Sequence, residues 1–192
     1  MLLNRHFERL LLSPVDLKPL RDDFEVVGVF NPGAIVVRGE VILLVRVAER
    51  PCERRAGFTA LPRWAPGEGL VIDWTDDDTL EPVDPRVVKR KADGLVRLTF
   101  ISHLRVVRCG DGRSVTQISD VHFLPDTSLE EFGVEDPRIT AIDGRFFFYL
   151  RRRLAPWCGD RAGLDDGFPA IRSSRGDFLS RKQGRGVVFP AN

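Results

Sequence analysis

The chain has 192 residues, of which 43% are hydrophobic and 30% are charged. This length and composition fit one globular domain with a packed core, and they argue against a disordered chain. The formal net charge of +1 argues against a protein that binds the phosphate backbone of nucleic acids. No apolar run approaches the roughly 20 residues of a membrane-spanning helix, so we expect no membrane partner.

The cysteines, Cys52, Cys109 and Cys158, are three in number and form no Cys-x-x-Cys pair. This pattern fits neither a disulfide framework nor a zinc site, and we expect no metal. The N-terminal apolar run at residues 10–12 is too short for the core of a signal peptide. We therefore expect a cytoplasmic protein.

Strand patterns dominate from residue 24 onward, and the best helical candidate is a short segment near residues 4–12. Residues 34–38 and 41–48 are aliphatic runs separated by Gly39 and Glu40, which predicts a tight hairpin. Further strands are predicted at 95–100 and 103–108. Residues 138–142 and 145–149 form another predicted hairpin around the Asp143-Gly144 turn.

The stretch at residues 51–94 is rich in proline and carries the acidic run at 76–78. Prolines interrupt central strands, so we expect long connections around one or two strands, such as residues 70–74. The acidic run is interpreted as a solvated turn, with a metal site as the alternative.

The two hairpins echo each other in sequence. Asn-Pro-Gly-Ala-Ile at 31–35 and Glu-Asp-Pro-Arg-Ile at 135–139 place Ile35 and Ile139 104 residues apart. This offset suits two blades of a β-propeller with the strands at 95–108 between them. The pattern alone also allows a β-sandwich.

Two adjacent carboxylates, Glu135 and Asp136, stand between Gly133 and Pro137. In a strand, neighbouring side chains point to opposite faces, so one carboxylate should face a cleft and the other should face the structure. Pro137 restricts the backbone of Asp136 and so fixes its side-chain direction. A carboxyl in a cleft can act as a general acid. The alternative is that Asp136 caps a turn and Glu135 pairs with Arg138.

Several other polar residues stand out near the predicted strands. The amide of Asn31 could bind a ligand hydroxyl or form an Asx-turn. Arg46 lies within an apolar strand and needs a partner or a water-filled cleft, with Glu49 as the simplest structural partner. Ser102 lacks a Gly-x-Ser-x-Gly elbow, which argues against a nucleophilic serine. His103 is expected to be a substrate contact or a structural residue at a strand end.

Four segments, taken in order, carry a resemblance to a known family. They are GVFNPGAI at 28–35, LLVRVAER at 43–50, ISHLR at 101–105 and EFGVEDPRIT at 131–140. Together they resemble glycoside hydrolase family 130, the β-mannoside phosphorylases and β-mannosidases. The resemblance covers about residues 20–149.

The resemblance implies an all-β fold, a five-bladed β-propeller of which residues 1–149 supply about the first two to three blades. It implies inverting cleavage of β-mannosides by inorganic phosphate, the co-substrate, to give α-mannose 1-phosphate without a cofactor. Asp136 matches the family's proton donor, which acts through a hydroxyl of the mannose ring. Asn31, Arg46 and Arg50 match positions that line the sugar subsite.

We also expect substrate contacts from His103, Glu135 and Arg138. An inverting hydrolase needs a second carboxylate as the base that activates water. Phosphate is already an anion and needs cationic groups to position it instead. A β-mannosidase that uses water remains the alternative, and full-length relatives could form homo-oligomers.

The resemblance stops after Tyr149, and residues 150–192 show no clear strand alternation. We expect this part to be a poorly ordered tail. Read one base later with allowed codons, residues 154–187 can encode a family-like continuation, so we predict a frameshift near the codons of residues 146–149. We expect the polypeptide as written to be poorly soluble and inactive, and a carbohydrate-binding remnant without catalytic activity is the alternative function.

Overall fold

A computed structural model describes residues 7–125, 130–142, 145–152 and 167–175 of the chain. The predicted all-β class is confirmed, since no α-helix occurs within these ranges. The strands are β1 (Phe24–Val37), β2 (Glu40–Pro51), β3 (Phe58–Ala65), β4 (Gly69–Asp76), β5 (Leu80–Asp84), β6 (Val87–Arg90), β7 (Val96–Leu98), β8 (Ile101–Cys109), β9 (Gln117–Phe123), β10 (Val134–Ile142), β11 (Arg145–Arg152) and β12 (Gly167–Arg175).

The first sheet has the antiparallel order β1-β2-β8-β9. Its β1-β2 hairpin is confirmed, but the two-residue turn consists of Arg38 and Gly39, one position earlier than predicted. Their φ angles are 51° and 82°, the left-handed region at both positions that a type I′ turn requires. The twist of such a turn matches that of the two strands, which explains the long pairing that follows.

Strand β8 pairs with β2 along its length, from Val41 opposite Cys109 to Glu49 opposite Ile101. The expectation that the strands at 95–108 stand between the two hairpins is therefore wrong for β8, which belongs to the first sheet. The reason is that β1 pairs with only one edge of β2, and β8 pairs with the other edge after a long insertion in the chain. Strands β3 to β7 form this insertion.

The insertion forms two small sheets, β3-β4 and β5-β6-β7. The expectation of long connections around one or two strands is wrong, because proline is tolerated in short edge hairpins. The insertion contacts the first sheet through Leu70 of β4, which forms one buried cluster with Phe24 of β1 and Ile101 of β8. The turn at the acidic run is confirmed, since Asp76 accepts a 2.9 Å hydrogen bond from the backbone N–H of Asp78.

The second sheet has the antiparallel order β10-β11-β12 and packs against the first. The shared core consists of six buried aliphatic side chains: Ile42, Leu44, Leu104, Val106, Val134 and Leu150. The predicted hairpin around residues 143–144 is confirmed by the antiparallel pairing of β10 with β11. The turn itself lies outside the described residues. Among the described residues no sheet closes on itself.

The predicted N-terminal helix is absent from residues 7–12, and a short 3₁₀ turn follows at Pro14–Asp16. His6 and the rest of residues 1–6 lie outside the described residues. Most of the predicted tail lies outside them too, at 153–166 and 176–192. The frameshift therefore stays a prediction.

Candidate active site

Two matching β-bulges form the framework of the site, one in β1 and one in β10. The pairing of β1 shifts between Phe30 and Gly33, and that of β10 shifts between Glu135 and Arg138. In each bulge the first extra residue has a positive φ and precedes a proline: φ is 48° at Asn31 and 46° at Asp136. Asn and Asp are the residues that tolerate this conformation best after glycine. A bulge re-aims its side chain away from the regular alternation of the strand.

The re-aimed side chains meet each other. Asn31 donates a hydrogen bond from Nδ2 to Oδ1 of Asp136 across 2.9 Å. The close approach of the two strands depends on Gly33, where an added Cβ would lie 3.0 Å from the carbonyl oxygen of Pro137 and 3.0 Å from Cγ1 of Ile139. The bulges therefore bring one amide and one carboxylate from distant parts of the chain together.

Arg46 of β2 lies beneath this pair and links it to the interior. Its Nη2 lies 2.5 Å from Oε1 of Glu135, and its Nη1 lies 3.4 Å from Oδ1 of Asp136. Its Nε donates to Oγ of Ser102 at 3.1 Å, and its guanidinium lies over the ring of Phe30 at 4.6 Å. A buried cation needs such partners to offset the loss of hydration.

Glu135 and Asp136 differ in exposure, as neighbours in a strand should. The side chain of Glu135 is 0% exposed and that of Asp136 is 25% exposed. Both nevertheless contact the same guanidinium, because the positive φ at Asp136 breaks the regular alternation. The alternative partners considered for these charges, Glu49 for Arg46 and Arg138 for Glu135, are therefore wrong.

The remaining predicted contacts lie elsewhere. Arg50 forms an exposed pair with Glu25, with 2.7 Å between Nε and Oε1. Arg138 is exposed and donates from Nη1 to the carbonyl of Pro137 at 2.9 Å. The structure thus groups Asn31, Arg46, Glu135 and Asp136, and it places Arg50 and Arg138 in other contacts.

His103 points to the opposite face of the first sheet. Its Nε2 lies 2.8 Å from Oε1 of Glu49, and the histidine is 1% exposed. This arrangement favours a structural role for His103 over a substrate contact. Ser102 is also fully buried, with its hydroxyl engaged by Arg46, which does not favour a nucleophile.

Glu49 and His103 belong to a polar cluster with Arg105, which is also buried, and with the half-buried His122. The backbone N–H of Leu20 donates a bifurcated hydrogen bond to the two carboxylate oxygens of Glu49, at 3.1 Å to Oε1 and 3.0 Å to Oε2. The rings of His103 and His122 lie 5.1 Å apart. Burial, with the neighbouring His103 and Arg105, lowers the pKa of His122 to about 4. This cluster holds the N-terminal segment against the sheet.

The sequence did not predict two of the contacts that Arg46 makes. Phe30 stacks on Arg46, and Ser102 orients it. Both depend on the register of the strands, and the register of β1 depends on the bulge. Sequence alternation alone would have paired Phe30 with a different residue of β2.

The cluster places one guanidinium between two carboxylates, of which only Asp136 reaches the surface. A partly exposed carboxyl held in a fixed direction can donate a proton to a bound ligand. In the described part of the chain, no three His, Cys, Asp or Glu side chains are grouped to hold a metal ion. Nor does any described helix have the length and apolar character to cross a membrane.

Comparison with known proteins identifies relatives of the chain, although no family model matches it. A β-1,2-mannobiose phosphorylase from Listeria innocua is 36% identical over 143 residues, which cover 72% of this chain and 40% of the relative. The solved structure of β-1,2-mannobiose phosphorylase from Listeria innocua in complex with β-1,2-mannobiose is similar with a TM-score of 0.69 and 31% identity. That match covers 75% of this chain and 42% of the solved chain.

The chain therefore spans about 40% of the length of the curated relative that it matches. The described sheets agree with the propeller-like fold of the structural relative. The resemblance drawn from the four sequence segments is confirmed, and over the matched residues the chain belongs to glycoside hydrolase family 130.

Proposed function

We propose that this site is the sugar-binding and proton-donating part of a β-mannoside phosphorylase, with Asp136 as the proton donor. The observation that carries the proposal is the contact between Asn31, Arg46 and Asp136 at the paired bulges. The relationship to a protein named as a β-1,2-mannobiose phosphorylase supports it. We further propose that residues 1–149 form the first two to three blades of a five-bladed, cytoplasmic propeller.

In the proposed reaction, Asp136 gives its proton to the departing sugar through a hydroxyl of the mannose ring. Inorganic phosphate attacks the anomeric carbon from the opposite face while the glycosidic C–O bond breaks. The configuration inverts, and the products are α-mannose 1-phosphate and the released sugar. Asp136 then regains a proton from solvent. One carboxyl group suffices, because phosphate needs no base to activate it.

The substrate that we propose to test first is β-1,2-mannobiose, because the sequence match and the structure match both name a β-1,2-mannobiose phosphorylase. Asn31 is suited to donate to or accept from a sugar hydroxyl, since an amide carries both donors and an acceptor. The guanidinium of Arg46 has donors but no acceptor, so it can only donate to a sugar hydroxyl. A bound β-mannoside therefore has partners for its ring hydroxyls beside the proton donor.

The test compares two polypeptides, each fused to a soluble carrier. The first is the chain as written. The second is translated from a gene with one base deleted near the codons of residues 146–149, so that all following codons are read one base later. We expect the first to bind β-1,2-mannobiose in ligand-detected NMR without turnover. We expect the second to release α-mannose 1-phosphate only when phosphate is present, and Asp136→Asn to abolish the release.

Other outcomes decide between the alternatives. Release of mannose without phosphate would move the assignment to a β-mannosidase. Turnover by the chain as written would refute the predicted inactivity. Absence of both binding and turnover in the two polypeptides would overturn the proposed function.

A further inference from the structure

Glu135 is a carboxylate that the proposed reaction leaves without a role. Its side chain is 0% exposed, so it lies below the surface that a sugar would touch. Its neighbour Asp136, at 25% exposure, is the carboxylate that reaches solvent. A buried carboxylate costs free energy unless it is paired, and Glu135 is paired with Arg46.

Arg46 serves both carboxylates, but unequally. Its Nη2 lies 2.5 Å from Oε1 of Glu135, whereas its Nη1 lies 3.4 Å from Oδ1 of Asp136. The first contact is a short charge-assisted hydrogen bond, and the second is at the outer distance limit of a hydrogen bond. Because the guanidinium is a rigid planar fork, it cannot approach one carboxylate freely while it is held by the other.

Further contacts hold the guanidinium in this orientation. Its Nε donates to the buried hydroxyl of Ser102 at 3.1 Å, and its face lies 4.6 Å from the centre of the Phe30 ring. The cation is therefore directed toward the interior, and the hydrogen bond from the guanidinium to Asp136 is the weaker of the two.

We propose that Glu135 is a positioning residue that holds Arg46 away from Asp136, so that Asp136 can carry the proton that it donates. A general acid must be protonated before the reaction, and a close guanidinium would favour its anionic form. The inference rests on the proposed function of Asp136. It assigns to Glu135 a role through Arg46, in place of the substrate contact expected from the sequence.

Two changes at Glu135 separate positioning from simple charge repulsion. Glu135→Gln keeps the shape and removes the charge, which frees Arg46 to turn toward Asp136. Glu135→Asp keeps the charge but shortens the side chain by one methylene, so its hold on Arg46 weakens. Positioning predicts that both changes lower the pKa of Asp136, whereas repulsion alone predicts that only Glu135→Gln does.

The experiment is a titration of the full chain, fused to the same soluble carrier and labelled with [4-¹³C]aspartate, followed by carboxyl NMR. The resonance of Asp136 is identified by its loss in Asp136→Asn, and asparagine is well tolerated at this positive φ. We expect the pKa of Asp136 to fall by about one unit or more in both Glu135 variants, the size of shift that a close opposite charge produces. Glu53→Gln is the control, because Glu53 forms an exposed pair with Arg55.

A pKa of Asp136 that is unchanged in both variants overturns the inference, and so does a fall confined to Glu135→Gln. If Glu135→Gln does not fold, Glu135→Asp decides alone. The measurement needs no turnover, so its failure is distinct from the failure of the proposed function. A shifted pKa without phosphorolysis in the frame-restored protein would leave the positioning contact correct and the reaction wrong.

Discussion

Asn31 donates its side-chain amide to Oδ1 of Asp136 across 2.9 Å, although the two residues are 105 positions apart in the chain. Both occupy the left-handed region of backbone space, with φ of 48° and 46°. Each is the first extra residue of a bulge, so the contact joins equivalent points of the first and second sheets. The hydrogen bond therefore fixes the direction of the Asp136 carboxylate, and it also holds the two sheets close to each other.

Replacement of Asn31 should separate these two contributions. Asn31→Ala loses the hydrogen bond and also places a Cβ-bearing residue without a polar group in the left-handed region, so we expect a loss of about 2 kcal/mol in unfolding free energy. Asn31→Gly loses the hydrogen bond but fits the backbone, and its loss should be about 1 kcal/mol. Urea unfolding followed by tryptophan fluorescence measures both. Equal stability of the two variants would contradict the strained backbone at position 31.

Gly133 should be the least replaceable glycine near the site. Its φ is 105°, and an added Cβ would lie 2.7 Å from the backbone nitrogen of Ser102 and closer still to its carbonyl oxygen. Backbone atoms cannot give way as the end of a flexible side chain can. We therefore expect Gly133→Ala to reduce the unfolding free energy by about 3 kcal/mol or more. It should also displace Ser102, which orients Arg46.

Gly57→Ala is the matched control for Gly133→Ala. Gly57 also has a positive φ, 76°, but an added Cβ there meets no atom within 4 Å. Only the backbone conformation should cost free energy, about 1 kcal/mol. If Gly133→Ala destabilises the chain no more than Gly57→Ala, the close contact between residue 133 and Ser102 is incorrect.

The sequence predicts the hairpins of this fold better than the sheets they form. The β1-β2 hairpin is marked by two aliphatic runs around a glycine, a local signal. The joining of β8 to β2 is a contact between segments separated by the strands of residues 58–98. Such pairing depends on which strand edge is left open, and no local pattern records it.

The candidate site shows the same division between local and distant contacts. The alternative pairing of Arg46 with Glu49 could have been rejected from the sequence, because residues three apart in a strand point to opposite faces. The actual partner, Glu135, lies in another sheet and could not be inferred from charge alone. The roles of Asn31 and Asp136 came from the family resemblance. The bulges that join them interrupt the alternation on which sequence prediction depends.

His122 should make the stability of the fold depend on pH. Its pKa is lowered to about 4 by burial and by nearby His103 and Arg105, with smaller opposing effects from Glu49 and Asp120. In the unfolded chain the pKa of a histidine is about 6.5. Between these values the unfolded state binds more protons, so stability is lost as pH falls from about 6.5 to 4. With allowance for partial exposure, we expect a loss of about 1 to 2 kcal/mol over this window.

The measurement for His122 is the urea midpoint at several values between pH 4.5 and 7. His122→Gln removes the titrating group, so its stability should change less over this range than that of the unmodified chain. The carboxylates of other ion pairs contribute equally to both proteins and cancel in the comparison. The same pH dependence in both proteins would exclude His122 as its source.

The two described cysteines should differ in reactivity, which tests the packing of the first sheet. Cys52 is exposed, whereas Cys109 is buried at the end of β8. Burial also raises the pKa of the Cys109 thiol and reduces its thiolate fraction. In a chain with Cys158→Ser, since Cys158 lies outside the described residues, we expect a thiol reagent to label Cys109 at least about 100-fold more slowly than Cys52. Single replacements, Cys52→Ser and Cys109→Ser, assign the two phases. Cys109 is buried where it pairs with Val41 of β2 at the end of β8. Equal labelling rates in native buffer would therefore mean that β8 is not held in the first sheet.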